Sequence, residues 1–406
     1  MARKEFAQAV MIKNAGQFGL GMFAWWVVGY AFATGNPDGG FLGHKYWAGD
    51  EWRSAGLGCS ATLFGLVGIS VLYIINGAVA ERTQVLPYLL YSFFVMVFAW
   101  PVVVAWGWGG GWLKDMDVAF EDMGGVSTVH VFSGSFALVS CILLGSRSGR
   151  WTRDPNIPEF KYSSPPFLAA GSLLYFIHLC FLNSLMAPTL VAKGRAVFNT
   201  WLCAGSCALT TTLLGTLTTK SVERHFVTVM RGFIAGAVLI AGVGWNVDGW
   251  AAFTFGVFGG FFLLISVFLV EMLRLDDVTH SISVHFTMGL VGTFGVGLWD
   301  NDRGGFHNND GELIGSQLAG ELAMTAWAAV WAAAIFGLCR VVGILRVPES
   351  VQTQGFAHSS VSLKGFESEA MQVVPNHDPG DLSRARPDEA SQLHDVSQGV
   401  GNTAGQ

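Results

Sequence analysis

The sequence predicts an all-α membrane protein, a polytopic bundle of about ten spanning helices. Of its 406 residues, 51% are hydrophobic and only 13% are charged, whereas soluble domains carry about a quarter of charged residues. The mean hydropathy is +0.45, and apolar runs of about 20 residues, the length of a membrane span, fill most of the chain. This composition argues against a soluble enzyme and a disordered protein. A net charge of −6 provides no basic surface for nucleic acid.

Ten apolar segments are candidates for the spans. In lipid only helices and closed barrels satisfy the backbone, and these runs are too long for barrel strands. Glycines recur inside them at helical spacing, as in the GxxxG of Gly232 and Gly236, and small residues let membrane helices approach closely. We therefore expect a compact bundle with spans, in order, at 12–34, 55–79, 87–108, 126–145, 165–186, 197–218, 227–246, 250–273, 281–299 and 315–340.

The basic residues predict the orientation of this bundle. With the N-terminus inside, the inner loops hold more than twice as many Lys and Arg residues as the outer loops. The positive-inside rule then places both termini in the cytoplasm. Residues 1–349 form the predicted membrane domain. Residues 350–406 are rich in Ser, Gln, Asp, Glu, Gly and Pro, so we expect a disordered cytoplasmic tail there.

Histidines mark the candidate chemistry, because ionisable residues inside membrane spans are rare and usually functional. His130, His178, His280 and His285 lie in or next to predicted spans. His130 and His285 have similar surroundings, with a Val before each, and lie on spans of opposite direction. An inverted repeat would bring one such residue from each half close to the midplane. The alternative is two unrelated buried histidines, each bonded to a backbone carbonyl.

Aromatic and acidic residues follow the third span on its outer side. The stretch Trp-Gly-Trp-Gly-Gly-Gly-Trp at 106–112 precedes an acidic loop that ends at Asp122. Aromatic faces next to carboxylates attract small cations, although an interfacial aromatic belt is the alternative. Asp122 lies eight residues before His130, about 12 Å along a helix. An acidic group at the mouth would then lie one or two turns above a buried imidazole.

A series of motifs follows in order along roughly residues 10–350. They are Asn-Gly-Ala-Val-Ala-Glu-Arg at 76–82, Trp-Gly-Gly-Gly at 108–111, the Asp122 to His130 spacing, Phe-Asn-Thr at 198–200, Arg-Leu-Asp-Asp at 274–277 and Leu-Arg-Val-Pro-Glu at 345–349. This series resembles the ammonium transporter family, the Amt/Mep/Rh superfamily. The resemblance implies a homotrimer of bundles in which each bundle has its own pore. It also implies that the chain lacks the first of the family's usual eleven helices.

The resemblance further implies roles for individual residues. A twin-histidine pair that lines the pore and relays protons maps to His130 and His285. Substrate recruitment at the outer mouth maps to Trp108, Asp122 and Phe181.

Three positions depart from the family pattern and form an uncertain gate. Phe64 is one step out of register with the paired gate phenylalanines of the family. His178 stands where the family has a tryptophan. Ser184 is adjacent to the position of a serine expected to bind ammonium.

We therefore expect a transporter of ammonium or ammonia, and not an enzyme, in the plasma membrane. A bare cation is expensive in an apolar interior, so ammonium would be deprotonated at the outer mouth and would cross as ammonia along His130 and His285. The sequence leaves open whether this transport is electrogenic or channel-like. An ammonium sensor or a non-conducting subunit of the same fold is the alternative. A bis-histidine haem protein is a third reading, which the motif spacings disfavour, and we expect no cofactor, metal or nucleic acid.

Overall fold

A computed structural model describes residues 2–54, 56–152, 160, 162–218, 221–308 and 311–354. Within these residues, ten long helices follow the order of the ten predicted segments. The first, α1, consists of Ala7–Ala24, Trp25–Gly29 and Tyr30–Thr34. The others are α2 (Gly58–Val79), α3 (Val85–Gly107), α4 (Val126–Leu144), α5 (Pro165–Ser184), α6 (Leu190–Thr218), α7 (Val222–Leu239), α8 (Gly249–Met272), α9 (Ile282–Trp299) and α10 (Glu312–Val341).

Eight of these helices are both long and apolar enough to cross a membrane, and α1 and α7 are the two that are not among them. Polar residues explain the difference. In α1, Lys13 and Gln17 are buried among other polar groups, and α7 carries Arg224 and Arg231. The all-α membrane bundle predicted from the sequence is therefore confirmed, while hydropathy alone identifies only eight of its helices.

Four π-helical turns interrupt the long helices. They are Trp25–Gly29 in α1, Val95–Ala99 in α3, Val126–Val131 at the start of α4 and Ile282–Thr287 at the start of α9. Such turns are rare and often occur at functional sites. The last two contain His130 and His285, so the two histidines occupy equivalent positions in their helices.

The core of the bundle is built around α4, which packs against α2, α10 and the π-helical turn of α9. On the other side, α6 packs against α7 and α8. The GxxxG of α7 produces the close approach that the sequence predicts. A Cβ at Gly236 would lie 2.6 Å from the Cα of Ala204 in α6, so only a glycine permits this packing.

The two ends of the bundle differ in chemistry. The arginine end, defined by Arg3, Glu81, Arg147 and Asp276, holds a buried ionic network. Arg3 Nε lies 2.7 Å from Glu81 Oε2, Arg147 Nη1 lies 3.0 Å from Glu81 Oε1, and Arg147 Nη2 lies 2.8 Å from Asp276 Oδ1. The opposite end of α3 leads to the tryptophan end, defined by Trp108 and the loop to Asp122.

The described chain continues a few residues past the predicted end of the membrane domain. Glu349–Gln354 forms a short helix, and the backbone oxygen of Gln352 accepts a hydrogen bond from Arg3 Nη2 at 3.0 Å. These residues therefore belong to the arginine end. The rest of the predicted tail, 355–406, lies outside the described residues.

Candidate functional site

His130 and His285 meet in the interior of the bundle. Their Nδ1 atoms are 3.2 Å apart, and their rings stack with centroids 5.1 Å apart and an interplanar angle of 27°. The exposed fraction is 0% for His130 and 6% for His285. One ring must donate its Nδ1 proton while the other accepts it, so at least one imidazole of the pair is neutral.

Close helix packing positions the two rings. A glycine follows each histidine after four residues, Gly134 in α4 and Gly289 in α9. A Cβ at Gly134 would lie 2.3 Å from the backbone nitrogen of Phe286, next to His285. A Cβ at Gly289 would lie 2.9 Å from the Val131 side chain, next to His130. The two helices therefore cross at the histidines, and each glycine makes room for the partner helix.

An aspartate stands eight residues before each histidine and caps its helix. Asp122 Oδ1 accepts from the backbone of Val126 at 2.6 Å, and Oδ2 accepts from the backbones of Ser127 and Thr128 at 3.0 and 2.7 Å and from the Thr128 hydroxyl at 2.7 Å. Gly125, with φ +85°, supports the sharp turn. Burial raises the pKa of Asp122, and the hydrogen bonds of Thr128, Ser127 and Val126 oppose this rise.

Asp277 repeats this arrangement before His285. Its Oδ2 accepts from the backbone of Ile282 at 2.6 Å, and burial likewise raises its pKa. The sequence resemblance implies that Asp122 lies at the mouth to attract cations. The structure instead turns its carboxylate inward, where it is 2% exposed, because the unpaired N–H groups of the first turn of α4 need an acceptor.

Trp108 lies over this capped turn at the tryptophan end. Its Nε1 donates to the backbone oxygen of Asp122 at 2.5 Å, and its ring centroid is 5.7 Å from that of Phe64. Phe64, expected one step out of register for a gate, thus contacts the predicted recruitment residue directly. Two aromatic rings therefore pack together beside the turn that Asp122 caps.

The two predicted residues on α5 lie elsewhere. Phe181 is 69% exposed, and it makes no ring contact with Trp108 or Phe64 in the part of the chain that the structure describes. Ser184 is buried, and its hydroxyl donates to the backbone oxygen of Phe181 at 2.9 Å within the helix. The structure therefore does not bring these two residues together with the aromatic pair.

A cavity of ≈ 700 Å³ extends from His285 to the arginine end, where Ala2, Ser163 and Ser164 line it. We call it the inner cavity. His178, one of the three predicted gate residues, lies on its wall, and its Nε2 pairs with Ser70 Oγ of α2 at 2.8 Å. The inner cavity therefore presents a third imidazole near the pair.

Two residues of the inner cavity were missed by the sequence analysis. Tyr175 packs edge-on to His285, with centroids 6.0 Å apart, and stacks on His178 at 5.7 Å. Arg231 of α7 also lines the cavity. Arg231 carries the same signal that singled out the histidines, an ionisable residue inside a predicted span. Tyr175 carries no signal of that kind, since aromatic residues are common in spans.

A haem does not fit between the paired histidines. Two axial imidazoles would need the iron and the porphyrin between them, whereas the Nδ1 atoms of His130 and His285 are in hydrogen-bond contact. His280, next to the start of α9, is 8% exposed and its Nδ1 has no partner among the described residues. No group of three or more His, Cys, Asp or Glu suited to a metal ion occurs among those residues.

Comparison with known proteins gives one family. A model of the Ammonium Transporter Family matches residues 1–363. Ammonium transporter 1 member 1 of Arabidopsis thaliana is 28% identical over 381 residues, which cover 85% of this chain and 76% of that protein. Ammonium transporter Amt2 of Archaeoglobus fulgidus is 28% identical over 386 residues, which cover 88% and 81%.

Solved structures share the fold. A protein described as a sensor Amt protein superposes with a TM-score of 0.81 at 21% identity, over 89% of this chain and 92% of that one. The crystal structure of Saccharomyces cerevisiae Mep2 gives a TM-score of 0.74 at 23% identity, over 83% and 78%. At these identities the likeness concerns the architecture of the bundle.

Proposed function

Because the chain belongs to the ammonium transporter family, we propose that it moves ammonium across a membrane as ammonia, through a pore lined by His130 and His285. Family membership and eight apolar helices make it an integral membrane protein and not an enzyme. The related proteins of Arabidopsis thaliana and Archaeoglobus fulgidus are named as ammonium transporters, which supports ammonium as the substrate.

The observation that carries the proposal is the buried contact between the two imidazoles. His130 is fully buried, and its Nε2 has no hydrogen-bond partner among the described residues. A cation that entered this apolar site would lose its hydration. Ammonia loses far less, and a neutral imidazole can both donate a hydrogen bond to it and accept one from it.

The approach from the tryptophan end supports recruitment of the cation. The faces of Trp108 and Phe64 lie together, and aromatic faces attract cations through the ring quadrupole. We assign Asp122 to the construction of this site, since its carboxylate is occupied by four hydrogen bonds. Phe181 and Ser184 stay candidates for recruitment and gating, and their substitution tests that assignment.

The histidine pair also accounts for the fate of the proton. Ammonium gives up its proton before ammonia enters the apolar passage, and the pair can pass that proton along its Nδ1–Nδ1 hydrogen bond. Such a relay makes transport electrogenic, whereas a pore without it carries ammonia alone. Potassium cannot give up a proton, so both forms of the mechanism exclude it.

The decisive experiment is uptake of ammonium by cells that lack their own transporters, with protein in liposomes as the second system. We expect the double variant His130→Ala, His285→Ala to lose nearly all ammonia flux, or to lose its discrimination against potassium. The exposed His307→Ala is the matched control and should behave as wild type. Uptake by the double variant with unchanged rate and selectivity would refute the roles assigned to the pair.

A non-transporting role is the second candidate. The departures at Phe64 and His178 motivate it, and the bundle architecture also occurs in a protein described as a sensor. A sensor or a non-conducting subunit would bind ammonium yet give no ammonium current in liposomes. A measurable current in the wild-type protein would exclude this reading.

The assembly and the membrane are further proposals. Large apolar side chains are exposed on α6 and α8, among them Trp201, Leu213, Phe258 and Phe268, which suits lipid or neighbouring subunits. We propose a homotrimer in the plasma membrane, with the arginine end in the cytoplasm as the positive-inside rule favours. Cross-linking in native membranes and protease access to either end test these assignments.

A further inference from the structure

The inner cavity contains a charge that the proposed mechanism does not use. Arg231 lies in the middle of α7 and lines this cavity together with Met230 and Ile234. Gly232 and Gly236, on another face of α7, pack against α6. With about 100° between successive residues of a helix, this packing against α6 turns the face of α7 that contains Arg231 toward the cavity.

No acidic residue pairs with Arg231 in the described part of the chain. Its Nε is buried without a hydrogen-bond partner, and Arg231 takes part in none of the ion pairs found there. Asp277 and Glu271 attract it from a distance, but Asp277 caps α9 through Ile282. By contrast, Arg3 and Arg147 are held by Glu81 and Asp276.

A fixed positive charge on the wall of a cavity controls which solutes occupy it. Away from bulk water, like charges repel strongly, and clefts with low-dielectric walls focus the field. His285 lines the same cavity as Arg231. Any solute that leaves the histidine pair toward the arginine end therefore passes through the field of this arginine.

We propose that Arg231 is the charge filter of the inner cavity, which admits neutral ammonia and repels ammonium, potassium and other small cations. The identity of the solute rests on the proposed function, whereas the field of Arg231 does not. The apolar passage along the histidine pair selects a neutral solute, because a cation would lose its hydration there. Arg231 then adds a second barrier, which acts on any cation that enters from the arginine end or forms again inside the cavity.

The field can be measured without transport, by the chemistry of a cysteine placed in the cavity. Ser172 lines the inner cavity on α5, and the exposed Cys59 is first replaced by Ala. In the Ser172→Cys protein we compare the rates at which two methanethiosulfonate reagents react with the new cysteine. One reagent has an anionic sulfonate group and the other has a cationic trimethylammonium group. We expect the anionic reagent to be favoured, and Arg231→Gln to lower that preference by about tenfold.

Three controls complete this test. Arg231→Lys keeps the charge and should keep the preference, and Arg224→Gln, on the exposed first turn of α7, should not change it. If Arg231→Gln fails to fold, the preference in the parent protein should still weaken as salt is added. An equal preference in the parent and Arg231→Gln proteins, or a preference independent of salt, would overturn the proposal.

Currents in liposomes then connect the field to selectivity. We expect potassium pulses to give no current with wild-type protein and a clear current with Arg231→Gln, with ammonium flux retained in both. Arg231→Gln protein that conducts ammonium yet still excludes potassium would contradict the filter. Absence of ammonium flux in the wild type would count against the proposed function alone, since the cysteine chemistry still decides the role of Arg231.

Discussion

Single aspartates cap the starts of α4 and α9, the two helices that contain the buried histidine pair. Asp122 and Asp277 each lie eight residues before a histidine of the buried pair. Asp122 accepts three backbone N–H groups of the following π-helical turn, and Asp277 accepts that of Ile282. The four N–H groups at a helix start lack partners inside the helix. A buried carboxylate that accepts such groups stabilises the first turn of the helix that contains the histidine.

We predict that Asp122→Asn destabilises the protein by about 1–3 kcal/mol, because one side-chain N–H₂ would face backbone donors and leave buried groups unpaired. Thermal unfolding in detergent measures the change. Asp117→Asn, an exposed carboxylate of the same loop, is the control and should have no effect. An Asp122→Asn protein of normal stability that binds ammonium weakly would instead favour a recruitment role.

At the scale of the element, α4 and α9 contain the same structural motif. Each has a capping aspartate, a π-helical turn with a histidine, and a glycine four residues later. The glycine of each helix contacts the partner helix next to the partner's histidine. Four helices, α5 to α8, lie between α4 and α9, so in a bundle of membrane spans the two helices run in opposite directions, as in an inverted repeat.

Gly134→Ala tests whether the close packing of α4 and α9 at these glycines holds the two histidines in contact. A Cβ there would meet the backbone of Phe286 at 2.3 Å, so α4 and α9 must separate and the histidine contact must lengthen. We expect a lower melting temperature and a loss of ammonium flux. Gly337→Ala in α10, where a Cβ would meet nothing within 4 Å, should be neutral or stabilising by up to about 1 kcal/mol. Equal behaviour of the two variants would contradict the proposed packing role.

At the scale of the whole molecule, the arginine end joins distant parts of the chain. Arg3 binds Glu81, Arg147 binds both Glu81 and Asp276, and Arg3 also reaches the backbone of Gln352. Burial alone would raise the pKa of Asp276, but the hydrogen bonds and charge of Arg147 outweigh it and hold this pKa below its usual range. The charge of Arg147, whose pKa is raised mainly by Asp276 against the effect of burial, is stabilised in return.

We predict that Asp276→Asn costs about 3 kcal/mol at pH 7, since it breaks a buried ion pair. The depressed pKa means that the stabilisation by Asp276 is fully present above its ordinary value of 3.8 and is lost as the pH falls further. The difference in melting temperature between wild type and variant should therefore be constant down to about pH 4 and shrink below it. Exposed Glu271→Gln is the control, and a difference that disappears already near pH 6 would contradict the assignment.

The sequence by itself determined the class of the protein and the order of its ten helices, and it singled out His130 and His285, which the structure brings into contact. An apolar run of spanning length must form a helix in lipid, because only a helix satisfies the backbone hydrogen bonds of such a segment. A histidine inside such a run is conspicuous because its burial is costly. The motif series likewise predicted the family, which the match over residues 1–363 confirms.

Only the tertiary structure decided which way the polar side chains of the site point. Asp122 turns inward to cap α4, His178 lines the inner cavity with Ser70, and Phe64 meets Trp108. These outcomes depend on partners between 44 and 108 positions away in the chain or on the N–H groups left free by a helix start. The residue pattern of a single segment does not show which distant residues will contact it. For the same reason, only the packing of the helices shows that Arg231 lines the cavity that His285 also lines.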